Sequence, residues 1–257
     1  MSLLNVKTML ELSQEGVEPD VLFWVGSAGS FDDRAKKITR AFVKILNKAN
    51  IIFGVLGQEE SSSGDPAKRA GNEFLFQMQA MSNIEILNSY NVKNIVTACP
   101  HDYNTIKNEY PELGGSYDVK HHTEFIEELI NDGKLKLSKE LRKKVTFHDP
   151  CYLGRGNKVY NAPRNLIEKM KADSHEMPRN KKNSLCCGAG GGQMFKDAEN
   201  GSKEINIERT EEALKLEPDI IITACPFCNI MMTDGVKLIK EGSSEVMDIA
   251  ELIAEQI

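Results

Sequence analysis

The feature that most constrains the fold of this chain is an internal repeat. Segment 95–102 (IVTACPHD) matches segment 221–228 (IITACPFC) at an offset of 126 residues (221 − 95). Two further landmarks agree, because Ser27 aligns with Cys151 (151 − 27 = 124) and segment 62–64 (SSG) aligns with 186–188 (CCG; 186 − 62 = 124). A chain that repeats itself in this way is built from two similar units that pack together. The repeat therefore predicts a tandem duplication.

Each half alternates short apolar runs with segments of helical periodicity. The first half predicts strands at 21–25, 51–56 and 94–98 and helices at 38–46 and 70–87. The second half predicts strands at 145–147 and 219–224 and helices at 163–170 and 204–216. Such alternation indicates an α/β fold with parallel sheets, here as two lobes related by a pseudo-two-fold axis. We expect an N-terminal extension (1–20), a first lobe (21–134), a polar linker (135–144) and a second lobe (145–257).

Five of the six cysteines lie in the second half, at Cys151, Cys186, Cys187, Cys225 and Cys228. Each follows a predicted strand or lies beside a glycine-rich turn, so we expect the thiols to meet at the carboxyl ends of parallel strands. Structural zinc takes four ligands and commonly uses two C-x-x-C pairs, whereas this half has five thiols and one such pair. The pattern favours an iron–sulfur cluster. Zinc in a non-redox scaffold and thiol–disulfide chemistry at Cys225 and Cys228 are the alternatives.

The first half lacks most of these cysteines. Only Cys99 aligns with a cysteine, Cys225, whereas the other equivalent positions hold Ser27, Ser62, Ser63 and Asp102. Oxygen is a harder ligand than thiolate sulfur. We therefore expect no cluster in the first lobe. Cys99, His101 and Asp102 form a weaker candidate metal site.

Two histidine-containing segments admit functional and structural interpretations. His148 and Asp149 precede Cys151, where the favoured interpretation is hydrogen bonding at a strand end and the alternative is tuning of a metal centre or proton transfer. His121 and His122 begin a helical segment, and we predict that both lie at the surface.

Several charged residues also lie near the cysteines or in the equivalent part of the first half. Arg155, Lys158 and Arg164 are predicted to lie on a solvated helix face, with an anionic substrate or an acidic partner as the alternative. For Arg164, the matching Arg40 of the first half favours a structural role. Acidic segments 59–60 and 65–66 are predicted to lie in loops.

Composition and charge exclude several classes of protein. The 32 basic and 38 acidic residues give a formal charge of −6, which argues against nucleic-acid binding. No run of 18 apolar residues predicts a membrane span, and segment 1–20 carries acids where a signal peptide would be apolar. We expect a cytoplasmic protein that is not inserted into a membrane.

The cysteine pattern, together with segments 147–155 (FHDPCYLGR) and 185–192 (LCCGAGGG), resembles the cysteine-rich CCG domain found in the B and D components of heterodisulfide reductase. Similar domains occur in iron–sulfur subunits of glycolate, lactate and glycerol-3-phosphate oxidising complexes. The resemblance implies two Rossmann-like halves and, in the second, an unusual noncubane [4Fe-4S] cluster ligated by Cys151, Cys186, Cys187, Cys225 and Cys228. It further implies an oxidoreductase subunit that exchanges electrons with a flavoprotein or dehydrogenase partner.

Overall fold

The computed structural model describes residues 5–197 and 200–257 and arranges them around two parallel β-sheets. The strands of the first sheet are β1 (Lys7–Thr8), β2 (Val21–Trp24), β3 (Phe53–Val55), β4 (Asn94–Thr97) and β5 (Asp118–His121), in the order β1-β3-β2-β4-β5. The strands of the second are β6 (Lys144–Phe147), β7 (Asp173–Ser174), β8 (Ile220–Thr223) and β9 (Glu245–Asp248), in the order β7-β6-β8-β9. Every neighbouring pair is parallel. The predicted α/β class is confirmed.

Helices connect and cover the strands. In the described residues they are α1 (Met9–Gln14), α2 (Gly26–Phe31), α3 (Ala35–Lys48), α4 (Asp65–Arg69), α5 (Glu73–Ser89), α6 (Pro100–Asn104), α7 (His122–Asn131), α8 (Asn161–Lys169), α9 (Ile205–Leu214), α10 (Pro226–Lys240) and α11 (Ile249–Gln256). In α3 the buried Ile38, Phe42 and Ile45 recur at helical spacing and form one apolar face.

The two lobes repeat the same arrangement. The order β3-β2-β4-β5 of the first sheet corresponds to β7-β6-β8-β9 of the second. The contacts between lobes are also reciprocal, because α11 of the second lobe packs on α3 of the first and α7 of the first packs on α8 of the second. This exchange of equivalent elements confirms the tandem duplication and its pseudo-two-fold relation.

One apolar core runs through both lobes. It includes Phe23 and Phe42 from the first lobe and Phe147, Leu166 and Ile253 from the second, each at most 2% exposed. Burial of apolar surface is the main favourable term in folding. The lobes are therefore joined by shared hydrophobic packing and not by the linker alone.

Hydrogen bonds between side chains add to the contact between lobes. Arg34 of the first lobe donates to both carboxylate oxygens of Glu251 in the second, at 2.8 and 2.7 Å. His122 Nε2 lies 2.9 Å from Asp248 Oδ1, and both side chains are fully buried. His122 and Asp248 occupy equivalent positions, since 248 − 122 equals the repeat offset of 126. They therefore meet close to the pseudo-two-fold axis.

The prediction that His121 and His122 lie at the surface is wrong. Both are 0% exposed, because they lie at the junction of β5 and α7, which faces the other lobe. Burial and the neighbouring His122 lower the pKa of His121 well below its usual value. Neighbouring side chains replace water as the hydrogen-bond partners of these two imidazoles. The helical periodicity of the sequence alone did not indicate this burial.

Segments outside the two repeats also take part in the fold. β1 pairs with β3, so residues of the predicted N-terminal extension add a strand to the first sheet. In the predicted linker, Leu135 is buried and Lys144 begins β6. The predicted domain boundaries remain predictions. In the described parts of the chain, no helix is both long and apolar enough to span a bilayer.

Candidate metal centre

The five thiols of the second lobe meet at the carboxyl ends of β6 and β8. Cys151 follows β6 after three residues, and Cys225 is the residue that precedes α10, separated from β8 by Ala224 alone. Cys228 lies in the first turn of α10, whereas Cys186 and Cys187 come from the loop that precedes α9. This edge of a parallel sheet is where α/β proteins usually bind ligands. The structure therefore brings together all five residues that the sequence singled out.

The thiols form a continuous series of contacts. Cys187 Sγ and Cys228 Sγ are 3.3 Å apart, and the Gly188 N–H donates to Cys186 Sγ at 3.3 Å. Further hydrogen bonds join Cys151 to Cys186 and Cys225 to Cys228. All six cysteines of the chain are free.

The five thiols of this cluster hold their protons unequally. Hydrogen bonds from Cys151 and Cys187 lower the pKa of Cys186. The same hydrogen bond and burial raise the pKa of Cys151, and a hydrogen bond to Cys186 likewise raises that of Cys187. One thiolate thus forms at the expense of its neighbours. A bound metal centre would take these cysteines as thiolates, and soft sulfur ligands select iron–sulfur clusters, zinc or copper(I).

The loop that carries Cys186 and Cys187 depends on glycine. Gly188 has φ +91°, a conformation in which its N–H is directed to Cys186 Sγ. Gly191 and Gly192 also have positive φ, at +69° and +75°, although a Cβ on either would meet no atom within 4 Å. Backbone conformation, and not lack of space, therefore requires glycine at these two positions.

His148 lies beside the thiols and is fully buried. Its Nδ1 accepts a hydrogen bond from Arg209 Nε at 3.0 Å, and its Nε2 has no partner among the described residues. A ring nitrogen of His148 and the sulfurs of Cys187 and Cys228 lie within 4.8 Å of one another. Burial and the positive Arg209 lower the pKa of His148 to about 3, so the imidazole is neutral at physiological pH.

Arg209 is a buried residue that the sequence analysis did not identify. It comes from α9, 61 residues after His148, and its side chain is 0% exposed. Arg209 Nη1 donates to Glu212 Oε2 at 3.0 Å and to the Arg179 carbonyl at 2.8 Å. An arginine within a helical segment gives no signal in a single sequence that it is buried.

The basic residues after Cys151 have structural or solvent-exposed positions. Arg164 forms a bidentate pair with the buried Asp149, at 2.8 and 2.9 Å. Arg155 is exposed and donates to the Ser184 carbonyl, and Lys158 is exposed. Asp149 is thus a hydrogen-bonding residue at a strand end, which is the favoured interpretation of the sequence.

The first lobe repeats the hydrogen bonds of the second with oxygen in place of sulfur. Ser63 Oγ donates to Asp102 Oδ1, at the positions equivalent to Cys187 and Cys228. The Gly64 N–H donates to Ser62 Oγ at 3.2 Å, as the Gly188 N–H does to Cys186. The Asp102 carboxylate packs closely against Gly26, because a Cβ on this glycine would lie 2.4 Å from its Oδ2.

Two of the acids predicted to lie in loops border the first-lobe site. Glu60 lies in a loop, as predicted, but its carboxylate accepts hydrogen bonds from the N–H groups of Val25 and Gly26 at 3.0 and 2.6 Å. Burial raises the pKa of Glu60 to about 8. The prediction is wrong for Asp65, which is buried in α4 and lies 3.0 Å from His101 Nδ1. A helix forms there because Asp65 and Pro66 occupy its first turn, where both residue types are favoured.

The weaker candidate site of Cys99, His101 and Asp102 is divided between different partners. Asp102 is bound to Ser63, and His101 pairs with Asp65. The His101 ring also packs against Tyr152 and Phe227 of the second lobe, with centroids 4.3 and 5.6 Å apart. His101 therefore covers the second-lobe site from the opposite lobe.

Comparison with known proteins places this duplicated, cysteine-bearing fold in a family. A family model described as the cysteine-rich domain CCG matches residues 21–107 and, a second time, residues 145–233. The chain belongs to the CCG cysteine-rich domain family. The second CCG match contains all five clustered thiols, and the first contains Cys99 alone.

Several curated proteins are similar to this CCG chain over nearly its whole length. It is 46% identical over 256 residues to the "Probable iron-sulfur-binding oxidoreductase FadF" of Bacillus subtilis, covering 98% of this chain and 36% of that protein. It is 45% identical to the "EtfAB:quinone oxidoreductase" of Syntrophomonas wolfei (97% and 36%). Identity is 33% to a "Dihydromethanophenazine:CoB--CoM heterodisulfide reductase" component of Methanosarcina barkeri (93% and 59%). The chain thus spans about a third of the length of the first two relatives.

Proposed function

We propose that this chain is the CCG portion of an iron–sulfur oxidoreductase and that its second lobe holds one [4Fe-4S] cluster. The observation that carries the proposal is the convergence of Cys151, Cys186, Cys187, Cys225 and Cys228 at one sheet edge. The names of the relatives, which include iron–sulfur and oxidoreductase, support it. Five ligands for four irons correspond to the noncubane arrangement that the family resemblance implies.

The residues of the chain have separate tasks in this proposal. A bound [4Fe-4S] cluster would accept and release single electrons. The five thiolates would hold it, and the Gly188 N–H would stabilise the charge on Cys186. Cys187, Cys225 and Cys228 are at most 3% exposed, so the protein would exclude water from most of the site.

A single site favours electron relay over reduction of a bound disulfide. In the heterodisulfide reductases that the chain resembles, one cluster is thought to face each sulfur of the substrate. Here the first-lobe positions hold Ser62, Ser63 and Asp102, which hydrogen-bond to neighbouring protein groups. One cluster suffices to pass electrons singly between partners.

The proposed partner is a flavoprotein or a dehydrogenase subunit. The relative from Syntrophomonas wolfei is named an "EtfAB:quinone oxidoreductase", which supports electron exchange with redox partners. We also propose that these lobes lie in the cytoplasm, since six free cysteines are typical of a reducing compartment.

The proposal is tested by measuring iron, acid-labile sulfide and zinc on anaerobically purified protein, with EPR spectra after reduction and after oxidation. We expect about four irons and four sulfides per chain, the content of one [4Fe-4S] cluster. Zinc without sulfide would overturn the proposal and favour the scaffold alternative. Thiol–disulfide activity that survives removal of iron would favour the alternative of thiol–disulfide chemistry at Cys225 and Cys228.

The ligand set is tested with serine variants. Cys187→Ser is expected to remove most of the iron–sulfur absorbance, because Cys187 contacts both Cys186 and Cys228. Cys99→Ser is the matched control, since Cys99 is also buried but lies in the first lobe. Unchanged absorbance in Cys187→Ser would remove this residue from the ligand set.

A further inference from the structure

A buried donor without a partner lies beside the five thiols. His148 is 0% exposed, its Nε2 makes no hydrogen bond within the described residues, and a ring nitrogen lies within 4.8 Å of the sulfurs of Cys187 and Cys228. A buried polar group without a partner is costly and is rarely left so in folded proteins. Its position indicates that the missing partner belongs to whatever occupies the cysteine site.

The neighbouring arginine determines which ring nitrogen of His148 carries the proton. Arginine is a donor only and keeps its protons in proteins. Arg209 Nε donates to His148 Nδ1 at 3.0 Å, so Nδ1 must present its lone pair. In a neutral imidazole the proton is then on Nε2, the atom without a partner.

The arginine itself is held in place. Its guanidinium is fully buried and bonds to Glu212 Oε2 at 3.0 Å and to the Arg179 carbonyl at 2.8 Å. Arg209 Nη2 also lies 3.4 Å from Ser184 Oγ. These contacts leave Arg209 Nε directed at His148, so the tautomer is set by the folded protein before any cofactor binds.

We propose that the His148 Nε2–H donates a hydrogen bond to a sulfur atom of the bound cluster, next to Cys187 and Cys228, and that His148 is a positioning residue and not a ligand. The inference rests on the proposed function, because it requires a cluster in the cysteine site. A metal ligand needs the lone pair of Nε2, which would move the proton to Nδ1 and direct it against the Arg209 N–H. A hydrogen bond to cluster sulfur stabilises the reduced, more negative state.

The equivalent position of the first lobe supplies a matched control. Trp24 aligns with His148 (148 − 24 = 124), is fully buried, and also presents a ring N–H without a partner within the described residues. Trp24→Phe removes that donor in the lobe that lacks the cysteines. It is expected to leave the midpoint potential of the second-lobe cluster unchanged.

The first test measures the potential of the loaded full chain. His148→Phe is expected to keep the wild-type iron and sulfide content and to shift the midpoint potential to more negative values. His148→Gln, which retains an N–H donor, is expected to restore part of the shift. An unchanged potential in His148→Phe, or loss of the bound iron, would overturn the inference.

The second test needs no cluster and no variant. Long-range ¹H–¹⁵N spectra of metal-free wild-type protein are expected to show His148 protonated at Nε2 and unprotonated at Nδ1. The opposite tautomer would overturn the inference. Absence of bound iron and sulfide in the wild type would instead refute the proposed function, so the two failures are distinguishable.

Discussion

At the residue scale, the two lobes differ mainly in the exchange of sulfur for oxygen. Ser62 accepts a hydrogen bond from a backbone N–H, as Cys186 does at the equivalent position of the other lobe. Ser63 and Asp102 form a hydrogen-bonded pair, as Cys187 and Cys228 do. The hydrogen bonds survive the exchange because serine and cysteine differ little in shape. The affinity for soft metals does not survive, because hydroxyl oxygen is a hard ligand.

Glu60 makes the stability of the first lobe depend on pH. Its pKa is raised from 4.5 to about 8 in the folded protein, chiefly by burial, so the folded state binds a proton that the unfolded state releases. The stabilising contribution is complete below about pH 4.5 and is lost as the pH rises towards 8. We expect Glu60→Gln to flatten the fall in unfolding free energy between about pH 5 and about pH 8, by at most about 1.4 kcal/mol per pH unit.

Urea denaturation at several pH values measures this slope. Glu59→Gln is the control, because Glu59 is an exposed neighbour of Glu60. The prediction fails if Glu60→Gln and the wild type lose stability in parallel across this range.

At the scale of elements, the same strands and turns lead to different site loops. In the second lobe the CCG segment continues into glycines 188 and 190–192, whereas in the first lobe the equivalent chain turns into α4 with Asp65 buried in it. A glycine loop can follow the surface of a bulky centre. A helix that carries a buried carboxylate places negative charge beside the site, where a cluster with its thiolate ligands would add further negative charge.

Restoring the cysteines of the first lobe should therefore not restore a metal site. In the fourfold variant Ser27→Cys, Ser62→Cys, Ser63→Cys and Asp102→Cys, the buried Asp65 carboxylate remains beside the site. We expect the iron content to stay at about four per chain. About eight irons in the anaerobically reconstituted variant, the content of two such clusters, would show that cysteine identity alone determines cluster binding.

The regular elements were largely predictable because their residues repeat with the period of the structure. The apolar runs predicted β2, β4 and β8 to within a residue or two, and the spacing of Ile38, Phe42 and Ile45 predicted α3. The short edge strands β1 and β7 have two residues each, too few for a periodic pattern. β5 was missed because its sequence, DVKH, contains one aliphatic residue.

The site was predictable where chemistry is local in sequence and not where it depends on packing. Cysteine spacing predicted which thiols would meet. The contact between His148 and Arg209 depends on how α9 docks on the second sheet, and the partial burial of Glu60 depends on the chain that follows β2. Neither can be derived from spacing along one chain.

At the scale of the whole molecule, the reciprocal contacts between lobes make the chain one folding unit. The apolar core is continuous across the interface, and the buried His122–Asp248 pair joins equivalent positions of the two lobes. Asp248 also caps α11 by accepting from the Ala250 N–H at 3.0 Å. A change at this point should therefore reach both lobes.

We expect the metal-free protein to unfold in one transition. Fluorescence of Trp24, the single tryptophan, reports on the first lobe, and far-ultraviolet circular dichroism reports on both. Asp248→Ala should lower both midpoints together and destabilise the protein by about 3 kcal/mol, because the buried hydrogen-bond partner of His122 and a helix cap are lost. Asp132→Ala, at an exposed position after α7, should change stability by less than about 0.5 kcal/mol. Separate midpoints for the two probes would contradict this account.

The thiols of the second lobe come from three stretches of chain, separated by 34 residues (186 − 151 − 1) and 37 residues (225 − 187 − 1). A cluster bound to all three would act as a cross-link that closes two long loops, with the entropic effect on the unfolded chain that such closure brings. The first lobe closes its equivalent site by hydrogen bonds and has no such cross-link to lose. Oxidative destruction of the cofactor would therefore remove this cross-link and lower the stability of the whole folding unit, and a protease would cut first in the two segments that the cluster had closed.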